Sequence, residues 1–275
     1  MSVDLHVHTS VSDGTDTPEQ VVEQALSIGL EAIAITDHDI LEGISAAQEA
    51  ARGKNIEIVP GIELSTVYKQ KEIHVLGYYI DRENEEFLNY LTIFRNARRE
   101  RIIKITEKLL GLGINLDLER VMAIAGDGSA GRPHVAEAMV EIGAVSSMSE
   151  AFEKYIGFNG PAYVPRFKLS PTEAVKLILS AKGVPVLAHP GLDVNKSLIS
   201  ELIDAGIQGI EVYHPSHSWD QINLYTALAR VNSLIITGGS DYHGQNNDER
   251  SRLGSVLVDY TVVKELKECA RRNRL

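Results

Sequence analysis

The chain has 275 residues and a formal net charge of −11, with 44% hydrophobic and 24% charged residues. That balance fits a globular enzyme, and its acidic excess excludes broad binding to long duplex nucleic acid, which needs a basic surface. The single cysteine, Cys269, excludes disulfides and thiolate metal sites, and no apolar run approaches the roughly 20 residues of a membrane span.

A first strand is expected from Val3 to His8, its period of two placing Asp4, His6 and His8 on one face and Val3, Leu5 and Val7 on the other. No leader pattern precedes it, which reads as a cytoplasmic chain. Thr17-Pro18-Glu19 opens a helix: Thr caps it, Pro fits the first helical position, and Glu suits the positive end. Gly29 ends that helix. A strand over Ala32–Thr36, a helix over about Leu41–Ala51 and a strand over Ile56–Glu63 follow. Residues 64–71 are too few for a helical crossover, so Ile73–Ile80 is expected to run antiparallel, with Glu63 at one strand end and His74 at the next strand start.

From Glu83 to about Tyr163 only helical signals remain, in four segments: Glu85–Leu110, Leu116–Ile124, Val135–Ile142 and Met148–Tyr155. The basic run from Arg95 to Lys104 is interleaved with acids and reads as a solvated helix face. The pattern divides the chain into a β/α unit over 1–82 and 164–275 and an all-helical insertion over 83–163 that caps it. Strand–helix alternation resumes after Ser170-Pro171-Thr172-Glu173, with strands at Pro185–Ala188, Gly209–Tyr213 and Leu234–Thr237, an extra one at Val256–Val258 and a last helix over Val263–Arg272. The fold class is α/β.

The chemistry gathers where strands end. His6 and His8, two apart, can reach one ion, and Ser12-Asp13-Gly14 adds a carboxylate on the next loop. Glu63 closes the apolar run Ile-Val-Pro-Gly-Ile-Glu. It reads either as a solvated strand end or as a carboxylate bridging two cations, which offsets the cost of burying its charge. His38, His74, His189, Asp241 and His243 stand in comparable places. With His6 and His8 these make six of the nine histidines. Imidazoles and carboxylates gathered at one rim suit divalent ions and hydrolysis, most often of phosphate esters. Asp37 reads as a residue that orients an imidazole or holds a loop. His214 either touches substrate or leaving group or is structural. His217 reads as solvated, and Trp219 as packing. In the insertion, Gly131-Arg132-Pro133-His134 leads a glycine-rich loop into a helix, where backbone amides and Arg132 favour a phosphate. Arg166 and Lys168 are weaker anion binders, alongside the surface-cap reading of the whole segment.

These motifs together resemble the polymerase and histidinol phosphatase (PHP) superfamily of metal-dependent phosphoesterases. The resemblance rests on Asp-Leu-His-Val-His-Thr, Ser-Asp-Gly, Ala-Ile-Thr-Asp-His-Asp, Pro-Gly-Ile-Glu, His74 in His-Val-Leu-Gly-Tyr, Val-Leu-Ala-His-Pro-Gly and Gly-Gly-Ser-Asp-Tyr-His-Gly. It covers residues 1–81 and about 160–258 and implies a distorted seven-stranded β/α barrel with three divalent ions. By position it implies His6, His8, Glu63 and Asp241 on the first ion, Glu63, His74 and His189 on the second, and Asp13, His38 and His243 on the third. Asp13 stands where many members of the superfamily have histidine, which makes the third site harder in character. Manganese is the expected metal, with zinc or iron as alternatives.

The Ser-Asp-Gly form and the helical insertion look most like small stand-alone nucleotide phosphoesterases. Enzymes of that kind remove the 3′-phosphate of nucleoside 3′,5′-bisphosphates, and some degrade short RNA from its 5′ end. The expected partner is therefore a small phosphorylated substrate, bound by a monomer. Water activated between the first two ions attacks phosphorus, Glu63 and Asp241 anchor the catalytic pair, and Arg132 and His134 bind substrate. His243, His214 or a metal-bound water supplies the proton to the leaving group. Three rival readings stand beside this one: a histidinol-phosphate-type phosphatase, an amidohydrolase-type C–N hydrolase, which would use a lysine carbamate where Glu63 stands, and a non-catalytic metal-binding module.

Overall fold

The computed structural model describes residues 2–126, 130–165, 169–192, 196–244 and 251–275. Its first half runs β1 (Ser2–Val7), α1 (Pro18–Ser27), β2 (Ala32–Ile35), α2 (Glu42–Ala50), β3 (Glu57–Tyr68) and β4 (Lys71–Tyr78). A helical stretch follows: α3 (Glu85–Gly111), α4 (Leu118–Ala125), α5 (Arg132–Glu141) and α6 (Met148–Ala151), the last continued by a π-helical turn to Ile156. The chain returns through α7 (Pro171–Ser180), β5 (Val184–Leu187), α8 (Lys196–Asp204), β6 (Gly209–Tyr213), α9 (Trp219–Val231), β7 (Ile235–Gly238), β8 (Val258–Asp259) and α10 (Thr261–Asn273).

Local chemistry sets several of these boundaries. Thr17 and Gln20 form a capping box on α1, and Ser170 and Glu173 form another on α7, each followed by proline at the first helical turn. The strands join in the order β7-β6-β5-β4-β3-β2-β1-β8. Pairing is parallel except at β4, which is antiparallel to β3 and β5, and at β8, antiparallel to β1. Beyond β7 the chain meets β1 again: Val7 bridges Tyr242, and the His8 amide donates to the Tyr242 carbonyl at 2.8 Å. The seven strands thus curl into a nearly closed barrel, with β8 added to β1.

Two sequence expectations change in the sheet. β1 carries one extra residue relative to β2, because Asp4 pairs with Ile33 but Val7 pairs with Ile35. Such a bulge flips the alternation. Val3 and Leu5 pack with Ala32, Ala34, Val59 and Tyr78, whereas Val7 packs with Ile33, Ile35 and the α1 residues Val21 and Val22. Asp4 is therefore not on the face of His6 and His8. The second change is at β3, which runs past Glu63 to Tyr68 and pairs with β4 in unbroken register from Gly61↔Tyr78 to Tyr68↔Lys71. Lys69 (φ 47°) and Gln70 (φ 72°) make the two-residue turn, with both centres left-handed as such a hairpin requires. Glu63 lies inside this hairpin rather than at a strand end.

The helical stretch has its own buried cluster, running from Ile102 and Ile105 through Val121, Val135 and Met139 to Ile156 and Val164. Helix α3 serves both bodies: Phe87, Leu91 and Phe94 join the barrel cluster, and Ile102, Ile105 and Leu109 join the other. The basic run on α3 is not a uniformly solvated face. Arg98 and Arg101 are only 12% and 6% exposed, and Arg101 Nε donates to the Val164 carbonyl at 2.8 Å. Among the described residues, no helix is long and apolar enough to cross a membrane.

Candidate metal centre

The bulge in β1 turns His6 and His8 toward the barrel mouth, where both are fully buried. From β3, Glu63 enters the same space and stands at its centre. Its Oε2 lies 3.3 Å from His6 Nε2, 3.1 Å from His8 Nε2 and 3.2 Å from His38 Nδ1. Its Oε1 lies 2.9 Å from His74 Nδ1 and 3.1 Å from His189 Nε2. One carboxylate therefore faces five imidazoles. Asp241, just past β7, places Oδ1 3.4 Å from both His6 Nε2 and His8 Nε2. Asp13, on the loop after β1, places Oδ1 3.4 Å from His243 Nε2 and Oδ2 3.9 Å from His38 Nε2.

Among the described residues, ligand-capable atoms converge within 4.8 Å in three sets: His6, His8, Glu63 and Asp241; His38, Glu63 and His74; and His8, Asp13, His38 and His243. The structure thus brings together all nine of the expected ligands. His189, which falls in none of the three sets, still faces Glu63 directly.

Electrostatics favours cations here. Burial alone would raise the carboxyl pKa values of Glu63, Asp13 and Asp241, but the surrounding histidines outweigh it and hold all three well below their ordinary values. Burial would likewise lower His6, yet Glu211 and Glu63 carry it well above the ordinary imidazole value. His243 is pushed up to about 10, Asp13 and Asp241 outweighing burial. His8 Nδ1 and His74 Nε2 are buried with no hydrogen-bond partner. His6 Nε2 and His8 Nε2 point at one another across 3.1 Å. Ionised carboxylates, orphaned imidazole nitrogens and a mixed nitrogen–oxygen donor set fit divalent ions of the manganese–zinc series.

Residues 4–127 match the PHP domain. The 5′-3′ exoribonuclease Rnm of Escherichia coli (strain K12) is 34% identical over 247 residues, spanning 87% of this chain and 84% of its own. The chain belongs to the PHP family. A 3′,5′-nucleoside bisphosphate phosphatase of Chromobacterium violaceum is 33% identical over 255 residues, 90% of each chain. A solved structure from Bifidobacterium adolescentis, that of a candidate metal-dependent phosphoesterase, superposes with a TM-score of 0.90 at 31% identity, covering 97% of this chain and 96% of that one. The protein is a metal-dependent phosphoric ester hydrolase, and its fold is the α/β barrel expected from the PHP motifs.

Several residues around the PHP cluster gain roles that their local sequence did not carry. Glu211 on β6 is fully buried: its Oε1 accepts from His6 Nδ1 at 3.0 Å and its Oε2 accepts from the His189 amide at 2.7 Å. The signal available in sequence was an acid inside the apolar strand Gly-Ile-Glu-Val-Tyr. Asp4 accepts from the amides of Ser240 and Gly254 at 2.9 Å each, tying β1 to the chain after β7. Asp37 holds the Asp13 loop, accepting from the Thr9 amide at 2.8 Å and from the Ser12 hydroxyl at 2.7 Å. A Cβ on Gly239 would lie 2.4 Å from His6, so the glycine's close approach is to the β1 backbone.

His214 is buried; its Nε2 donates to Asp241 Oδ2 at 3.4 Å, while its Nδ1 accepts from the Ser216 amide at 3.2 Å. His217 is not solvated: Nδ1 donates to the Val212 carbonyl at 2.8 Å and Nε2 accepts from the Gly191 amide at 3.0 Å. Trp219, by contrast, is 79% exposed and does not pack, because it sits at the outer first turn of α9. Arg98 reaches from α3 to the rim, donating to Asp39 Oδ2 from Nε at 2.9 Å and to Ser65 Oγ from Nη2 at 3.0 Å. Arg132 opens α5 and donates to Glu72 Oε1 at 2.9 Å, two residues along β4 from His74. His134 Nδ1 accepts from the Gly131 amide at 2.9 Å. Arg166 and Lys168 lie outside the described residues.

Proposed function

We propose that this enzyme hydrolyses the 3′-phosphate of nucleoside 3′,5′-bisphosphates and the 5′-terminal linkage of short RNA, as a cytoplasmic monomer using three divalent ions, manganese first. The observation that carries the reading is the pairing of the Glu63-centred cluster with Arg132, whose guanidinium meets β4 at Glu72, two residues from His74. A substrate with one reacting phosphate and one to be held needs both features. The names of the two curated relatives support the same substrate class.

In this reading His6, His8, Glu63 and Asp241 hold one ion, Glu63, His74 and His189 a second, and Asp13, His38 and His243 a third. Bound there, the ions supply Lewis-acid charge and lower the pKa of a water molecule. Glu63 spans two sites and fixes their separation. Glu211 accepts a hydrogen bond from His6 Nδ1–H, which keeps the proton on Nδ1 and leaves Nε2 free to coordinate. His214 orients the Asp241 carboxylate through its Nε2–H. Arg132 clamps the second phosphate by charge-assisted hydrogen bonds, exchanging Glu72 for it. His134 accepts from the Gly131 amide and so fixes the start of α5 beside Arg132.

The test is a panel of phosphate esters with manganese added. The bisphosphate should show a higher kcat/KM than histidinol phosphate or p-nitrophenyl phosphate. Equal or reversed preference overturns the nucleotide reading.

A further inference from the structure

Past the metal cluster, one face of the β3–β4 hairpin leads outward. Glu63, Ser65 and Val67 follow one another on β3, and His74 and Glu72 pair with Ser65 and Val67 from β4. Residues two apart on a strand stand about 7 Å apart. One such step beyond His74 the hairpin tip and the helical segment enclose two adjoining cavities of about 580 and 570 Å³, which share Lys69, Glu72, Phe158 and Tyr163. Each is within the roughly 300–1,000 Å³ of small-molecule sites.

The lining has a definite chemistry. The Phe158 and Tyr163 rings meet edge to face with centroids 5.4 Å apart, and Phe158 is 51% exposed. Arg132 stands between this aromatic wall and the metal cluster, 5.4 Å from the Phe152 ring centroid and 6.0 Å from that of Tyr163. Lys69 and Lys71 add positive charge at the hairpin tip. An exposed phenylalanine is ordinary by itself, but this one is held on a fixed turn. The Gly157 amide donates to the Phe152 carbonyl at 2.9 Å, the Gly160 amide to Gly157 at 2.9 Å, and the Tyr163 amide to Gly160 at 3.0 Å. A Cβ on Gly160 would lie 2.2 Å from the Tyr155 carbonyl oxygen, so the turn demands glycine there.

A rigid aromatic surface beside three cations, on a chain of net charge −11, selects an anion that carries a flat ring. We propose that this cleft is a base-stacking site for the nucleotide whose 3′-oxygen bears the phosphate to be cleaved. The inference rests on the nucleotide reading above and deepens it. A nucleoside 3′,5′-bisphosphate and the 5′-terminal residue of an RNA present the same groups at this position, so one cleft serves both. Stacking on Phe158 uses a face that every base has, so discrimination among the four bases is weak.

The experiment compares adenosine 3′,5′-bisphosphate with ribose 3,5-bisphosphate, which has both phosphates and no base. Phe158→Ala should raise KM for the first about tenfold with kcat kept, and leave the second unchanged; Phe158→Tyr should restore the nucleotide KM. Equal effects on both substrates, or none on the nucleotide, overturn the stacking site. Calorimetric binding of adenosine 5′-monophosphate to chelator-treated protein separates the two readings. Wild-type affinity about tenfold above that of Phe158→Ala supports the cleft even where no bisphosphate is hydrolysed, a result that would sink only the substrate assignment. Equal affinities overturn the cleft.

Discussion

Replacing Glu211 by glutamine isolates the contribution of a residue that touches no proposed ion. Both partners of its carboxylate are donors: His6 Nδ1–H at 3.0 Å and the His189 amide at 2.7 Å. A glutamine of the same shape has one acceptor oxygen and one NH₂ group. Whichever way the amide turns, one of the two donors faces another donor. Glu211 is fully buried, so water does not repair the loss. A hydrogen bond to a charged group contributes about 1.5–3 kcal/mol, which is roughly ten- to a hundredfold in an equilibrium constant and matches the cost of removing outer partners of metal-bound imidazoles. His6 is freed to take the other tautomer, with a proton on the nitrogen that faces Glu63 and Asp241. Manganese affinity, measured by competition with a fluorescent chelator, should fall by ten- to a hundredfold, and kcat at subsaturating metal should fall in parallel. Saturating metal should recover most of the turnover, since the ligands themselves are intact. A variant with wild-type metal affinity and wild-type kcat would refute the reasoning, because it would mean that the His6 tautomer is set elsewhere.

Glu63→Gln should abolish turnover while the thermal transition of the chelator-treated protein persists, because one amide replaces a carboxylate shared by five imidazoles; near wild-type activity at full metal content removes Glu63 from the mechanism. Arg132→Ala should raise KM about ten- to a hundredfold for the 3′,5′-bisphosphate and much less for p-nitrophenyl phosphate, and equal losses would assign the guanidinium to the reacting phosphate or the fold. In metal-free protein, His243 has its pKa raised from 6.5 to about 10 by Asp13 and Asp241 against burial. It therefore contributes stability that is fully present below pH 6.5 and lost as pH rises toward 10. His243→Asn should flatten that limb of the Tm–pH curve; an unchanged limb counts against the assignment.

Much of the fold is legible because its signals are local. Thr17 with Pro18, and Ser170 with Pro171 and Glu173, start helices through contacts within four residues. The candidate ligands are legible for a different reason: their histidines and carboxylates follow a recognisable order along the chain. What sequence reading misses depends on partners far along the chain. Glu211 bonds His6 across 205 residues, and in its own strand it is only an acid among apolar neighbours. Arg98 finds Asp39 across 59 residues, so a long cation read as solvated becomes a tie between helix and rim. The bulge in β1 is invisible because an extra residue is defined only against the register of β2. β3 outruns its expected end for the same reason: Thr66, Val67 and Tyr68 suit a strand, but their continuation of β3 is defined only by the pairing with β4.

The backbone at the rim shows why these distant partners matter. Asp39, His189 and Asp241 sit at φ 56°, 23° and 52°, in the left-handed region that side chains disfavour, at about 1–3 kcal/mol each. Each is held by a contact to a strand that borders the cluster. The Asp39 amide donates to the Glu63 carbonyl at 3.0 Å, the His189 amide donates to Glu211, and the residue after Asp241 bridges β1 at Val7. The last of these contacts is also where the barrel closes, since β7 and β1 meet at that bridge. Strain, like-charged carboxylates and barrel closure therefore occupy one rim. Cations bound by His6, His8, Glu63 and Asp241 would draw β1, β3 and the end of β7 together, and metal binding would then be linked to closure of the barrel.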